Sequence, residues 1–88
     1  MAWTLRFTET AQKQLGKLDK KIADQITRVL QERVANSGNP REFGKALTGE
    51  LKGYWRYRIG DYRVICELKD RELIILALVI GHRRDIYR

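Results

Sequence analysis

The chain opens on an alternation in which Trp3, Leu5 and Phe7 are apolar and Thr4, Arg6 and Thr8 are polar. A period of two over this length predicts a strand with one buried face. Beyond it the apolar spacing lengthens. Ala11, Leu15 and Leu18 fall on one side of a short helix that Thr8 or Thr10 can cap, and Gly16 followed by Asp19 marks a break and a second helix start. Ile22, Ile26, Val29, Leu30 and Val34 recur at helical spacing, with Lys20, Lys21, Asp24, Arg28 and Glu32 outside the stripe. This predicts a longer amphipathic helix to about Asn36, stopped by Ser37-Gly38-Asn39-Pro40. Residues 40–53 have no period and read as a connector anchored by Phe43 and Leu47.

Two further strand-like runs, residues 54–59 and 62–68, flank Gly60-Asp61, a dipeptide suited to a two-residue hairpin loop. After a second reversal at residues 69–72, residues 73–80 are apolar on both parities and rich in branched side chains. That pattern predicts a central strand covered on both faces. The expected fold class is α+β: an N-terminal strand, a two-helix hairpin, then an antiparallel three-stranded meander, all in one sheet packed on the helices. At 88 residues the chain has room for one core, so residues 1–88 are expected to form a single domain.

A hairpin loop at Gly60-Asp61 places Ile59 opposite Tyr62, Arg58 opposite Arg63, Tyr57 opposite Val64 and Arg56 opposite Ile65. Parity then assigns the faces. Trp55, Tyr57, Ile59, Tyr62, Val64, Cys66 and Leu68 form an apolar set for the core side, while Tyr54, Arg56, Arg58, Arg63 and Glu67 share the other. Like charges directly opposite weaken a hairpin by a few tenths of a kcal/mol to about one. Singly, such arginines are ordinary surface cations. As a converging group they suit a phosphodiester, because each guanidinium can donate two charge-assisted hydrogen bonds to non-bridging oxygens.

Charge reinforces this reading without selecting it. Eighteen Lys and Arg against eleven Asp and Glu leave a formal net charge of +7, a field that attracts nucleic acid, the ribosome, an anionic membrane or an acidic protein. Residues 52–88 hold nine cations, seven of them Arg, whereas residues 1–51 hold nine with only four Arg. The bidentate donors are therefore concentrated in the C-terminal half. One cysteine, Cys66, excludes an internal disulfide and suits a reducing compartment. No signal-peptide pattern opens the chain, and its longest apolar run is well short of the roughly 20 residues that cross a bilayer. A cytoplasmic protein with no membrane association is expected, without a cofactor or a carboxylate cluster for a metal.

The tail, Gly81-His82-Arg83-Arg84-Asp85-Ile86-Tyr87, leaves the end of the central strand and should approach one edge of the same sheet. Histidine is the residue type suited to proton transfer near neutrality, which makes His82 a candidate, while Arg83 adds charge stabilisation and Tyr87 offers a ring for a base or a hydroxyl for phosphate. Asp61 and Asp85 read as a turn residue and a local partner for arginine.

Across essentially its whole length the chain resembles the RelE family of bacterial toxins. The residues that carry the likeness are Leu47-Thr48-Gly49-Glu50-Leu51-Lys52-Gly53, the run from Tyr54-Trp55-Arg56-Tyr57-Arg58 through Ile59-Gly60-Asp61-Tyr62-Arg63-Val64-Ile65, and the close Val79-Ile80-Gly81-His82-Arg83-Arg84-Asp85-Ile86-Tyr87. The resemblance implies an antiparallel sheet on two N-terminal helices and ribosome-dependent endonucleolytic cleavage of mRNA in the decoding site. It also implies neutralisation by a cognate antitoxin in a toxin–antitoxin hetero-oligomer. It assigns Arg56 to activation of the 2′-hydroxyl, Arg63 to the phosphate transition state, Arg83 to protonation of the leaving 5′-oxygen and Tyr87 to stacking on the nucleotide. Arg58, Arg84 and Lys52 are expected to bind RNA phosphate.

One departure matters: the best-known member carries lysines on the first hairpin strand, where this chain has arginines. A guanidinium is a poor proton acceptor, so His82 becomes the chemically better base if it reaches the site. The alternative within the same architecture is a ParE-like toxin, a binding protein that poisons DNA gyrase without cutting RNA.

Overall fold

The computed structural model describes residues 2–84, so the expectations placed on Asp85 and Tyr87 lie outside the described residues. Strand β1 (Thr4–Phe7) leads into helix α1 (Glu9–Gly16) and helix α2 (Lys20–Arg28), which continues as a π-helical segment, Val29–Ala35. Strand β2 (Lys45–Ala46) precedes the meander of β3 (Trp55–Ile59), β4 (Tyr62–Lys69) and β5 (Ile74–His82). The sheet order is β1-β5-β4-β3-β2. All neighbouring pairs are antiparallel except β1 with β5, which run parallel. The sequence pattern anticipated α1, α2, β1 and the meander. It missed β2, which lies within the stretch without a period.

Thr8 joins sheet to helix. Its hydroxyl accepts from the Ala11 amide at 3.1 Å, capping α1, and donates to the Leu78 carbonyl at 3.1 Å. Gln14 of α1 likewise accepts the Ile80 amide through Oε1 at 2.6 Å. Both contacts satisfy backbone groups of β5 beyond Ala77, where β1 has ended and, among the described residues, no strand pairs with that edge.

The core lies between the helices and one face of the sheet. Ile26, Leu30 and Val34 from α2 and its extension meet Tyr57, Ile59, Val64, Cys66, Ile75, Ala77 and Ile80, all buried. Among the described residues the helices cover only this face. The other side of β5, carrying Ile74, Leu76, Leu78 and Val79, is half-buried, so the expectation of a strand covered on both faces is met on one. No helix among the described residues is long and apolar enough to cross a membrane.

Cys66 sits in this core with no exposed surface, and burial pushes its thiol above the ordinary range. Because the thiolate is the reactive form, the native protein should resist a thiol-specific reagent at pH 8 and react fully once denatured. Comparing modification with and without denaturant by mass spectrometry checks this, and rapid labelling of the folded chain would contradict the sealed core.

Candidate functional site

Gly60 takes φ +57° at the first position of the β3–β4 loop, a conformation glycine adopts without a Cβ penalty. That turn sets the register: Ile59 faces Tyr62, Arg58 faces Arg63, Tyr57 faces Val64 and Arg56 faces Ile65. Arg56, Arg58 and Arg63 therefore share the sheet face turned away from the helices, in the register expected from the sequence.

Their environments differ. Arg58 is exposed and Arg56 half-buried, whereas Arg63 is only 9% exposed. Its Nη1 donates to the carbonyls of Gly60 at 3.1 Å and Tyr62 at 3.0 Å, curling the guanidinium over the turn it follows. A cation held by backbone carbonyls is pre-positioned, so less side-chain freedom is lost when an anion arrives. Facing Arg63 on β5 is Gly81, which adds no side chain to the face.

Arg83 is tied to the same turn. Its amide donates to the Asp61 carbonyl at 2.8 Å and its Nε lies 3.9 Å from the Asp61 carboxylate. Asp61 is thus both a turn residue and a partner for arginine. The tail so returns to the hairpin end, and Arg58, Arg63 and Arg83 gather around one loop. Arg84 is exposed there, its amide donating to His82 Nδ1 at 3.2 Å.

Two expected site residues are placed elsewhere. His82 pairs with Tyr62, and the two rings meet edge-on with centroids 5.5 Å apart. Tyr62 packs against the core, so His82 belongs to the helix side of the sheet and is separated by it from Arg58 and Arg63. The cause is a bulge: Ile65 faces Val79 but Cys66 faces Ala77, leaving Leu78 as an extra residue that reverses the parity of β5 beyond it. Lys52 is exposed but follows a turn of helix before β3, at the opposite end of that strand from the Gly60-Asp61 loop.

The structure adds a cation that periodicity did not find. Lys45 of β2 faces Arg56 across the sheet edge, on the arginine side. A two-residue strand has no period to read. The available signal was local: Gly44 before it and Leu47 after it, in a segment that three tethers hold against β3. A Cβ on Gly44 would stand 2.8 Å from Tyr57 Cε1 and 3.3 Å from the Arg56 carbonyl, so only glycine lets the backbone come this close. The Tyr57 hydroxyl donates to the Pro40 carbonyl at 2.8 Å in a buried bond. Arg41 forms a two-pronged ion pair with Asp70, at 2.7 and 2.8 Å, and lies over the Trp55 ring. The Arg41 hydrogen bond holds the Asp70 carboxyl below its usual value, so this tether persists above the ordinary carboxylate range and is lost as pH falls through the depressed value.

Among the described residues no group of three or more His, Cys, Asp and Glu comes together as metal ligands. The site is instead a cationic face with three kinds of position: exposed (Arg58, Lys45), pinned by backbone (Arg63) and tethered through the tail (Arg83). Such a surface can bind a phosphodiester and stabilise charge developing on it.

Residues 5–87 match the family described as the ParE toxin of the type II toxin–antitoxin system parDE. Toxin RelG of Mycobacterium tuberculosis is 36% identical over the whole of this chain and 99% of its own length. Toxin RelE of the same organism is 33% identical over 92% of this chain and 81% of its own. Among solved structures, the toxin–antitoxin complex RelBE2 from M. tuberculosis superposes with a TM-score of 0.87 at 30% identity, covering 97% of this chain and 95% of that one.

Proposed function

Because the chain belongs to the RelE/ParE superfamily of type II toxin–antitoxin toxins, we propose that it is a ribosome-dependent endoribonuclease that cleaves mRNA in the A site and is held inactive by a cognate antitoxin. The observation that carries this reading is the placement of Arg58 opposite Arg63 on the sheet face turned away from the helices, with Arg83 anchored to the same loop through Asp61. An inhibitor acting by contact alone has no need of three arginines clustered around one loop. The relatives named RelG and RelE and the antitoxin-bound RelBE2 structure support the same choice.

The reaction these residues suit is attack of an RNA 2′-oxygen on the neighbouring phosphorus. The new bond closes a 2′,3′-cyclic phosphate and the P–O5′ bond breaks. The hydroxyl proton passes to solvent water, and the departing 5′-oxygen takes up a proton from solvent, so the step is balanced without a residue acting as base. Arg63, already oriented by two carbonyls, bonds the non-bridging oxygens as negative charge grows on them. Arg83 stands beside the leaving oxygen, and Arg58 and Arg56 hold the flanking backbone. Tyr87 retains its proposed stacking role. His82 lies on the far side of the sheet and takes no part as base. Much of the acceleration comes from positioning, which a ribosome presenting a single codon supplies.

In a translating extract the protein should create new 5′ ends inside codons of a translated message and leave the same message intact when translation is blocked. Primer extension reads both. Stalled DNA cleavage complexes with intact mRNA would overturn the proposal in favour of a gyrase poison.

A further inference from the structure

We infer that Lys45 is a message-binding residue that grips the RNA backbone beside the cleaved linkage, extending the cationic face across a third strand. This rests on the ribonuclease reading above. Lys45 faces Arg56 on β3, Arg58 faces Arg63 on β4, and all four share the face away from the helices. From Arg63 to Lys45 is two strand spacings across and two residues along, about 12 Å between backbones. The cations thus form a diagonal track from the hairpin loop to the sheet edge, with Arg58 and Arg56 between its ends.

Folding does not ask for Lys45 at this place. It is exposed, it faces another cation, and like charges directly opposite oppose pairing of the strands. Its segment is nevertheless fixed against β3 by the close approach at Gly44, by the Tyr57 hydroxyl on the Pro40 carbonyl and by the Leu47 amide on the Tyr54 carbonyl at 3.0 Å. A flexible ammonium on a fixed backbone beside a row of guanidinium groups suits a single-stranded polyanion whose phosphates arrive at irregular spacing. Such a residue contributes charge to substrate binding and leaves the bond-breaking step to the arginines at the loop.

The test compares wild type, Lys45→Ala and Lys45→Arg in binding programmed ribosomes and in single-turnover cleavage across a salt series. Lys45→Ala should raise the half-saturating concentration about fivefold, reduce the salt slope by about 0.7 and leave the saturating cleavage rate unchanged. Lys45→Arg should restore both affinity and slope. Equal affinity and slope in Lys45→Ala, or a weakened affinity with an unaltered slope, would overturn the assignment of Lys45 while leaving the nuclease reading intact. A wild-type protein that binds programmed ribosomes but cuts no message would instead sink the nuclease reading, and with it any role for Lys45 in gripping a substrate.

Discussion

Arg63→Ala and Arg83→Ala should each reduce mRNA cleavage by about 10²- to 10³-fold while ribosome binding survives, the usual consequence of removing one donor aimed at developing charge. The two losses should not multiply in the double variant if both groups act on the same transition state. Arg63 needs a folding control, because its Nη1 also serves the carbonyls of Gly60 and Tyr62. Losing both contacts costs about 1–2 kcal/mol, a fall in Tm of roughly 4–16 °C for a domain of this size. Arg83, more than half exposed and bonded to Asp61 partly through its own amide, carries no such burden, so Arg83→Ala should melt with wild type. Single-turnover cleavage at saturating toxin, read beside thermal melts, separates chemistry from folding. Unimpaired cleavage by folded Arg83→Ala would exclude it from the reaction.

Tyr57→Phe should be among the most damaging conservative changes to the fold. The ring is 2% exposed and its hydroxyl donates a buried bond to the Pro40 carbonyl. Burial pushes the phenol well above its ordinary value, so the hydroxyl keeps its proton and remains a donor. Without it a buried carbonyl loses its partner, at about 1–3 kcal/mol, or on the order of 10 °C in Tm. Gly44→Ala attacks the same joint from the other side by pressing a methyl group against a ring that its hydroxyl holds in place, costing about 1–3 kcal/mol. In the double variant the unanchored ring is free to yield, so the two penalties should sum to less than their separate values. Strict additivity in denaturant melts would show that the glycine contact and the hydroxyl bond are independent.

How much of this was legible beforehand follows from what each element rests on. The β3–β4 hairpin was readable because its turn residues and its parity agree, and Arg58 does face Arg63. The helical stripe was readable because Ile26, Leu30 and Val34 repeat often enough to define a side, even though the helix widens to a π-helical form from Val29. Strand β2 was not, because two residues carry no period and its pairing depends on a tyrosine ring eleven positions beyond Ala46. The position of His82 was hidden for another reason. Counting by twos from Ile75 and Ala77 puts it with the arginines, and the extra residue at Leu78 carries it to the other side. That bulge is supported from α1, through Thr8 and Gln14, and no reading of β5 alone contains those contacts. The candidate base was therefore lost to a tertiary effect, while the guanidinium groups were secured by a local one.

The parallel pairing of β1 with β5 has a consequence for biogenesis. Thr4 meets Ile74, so β1 has no neighbour in the sheet until synthesis has reached β5. Closing so long a loop is slow and must await the last strand, which also delivers Arg83 to the hairpin. On the ribonuclease reading proposed above, the site is incomplete until β5 has brought Arg83 to the hairpin, and the interval before the sheet closes is the window in which an inhibitor already present can intercept the chain.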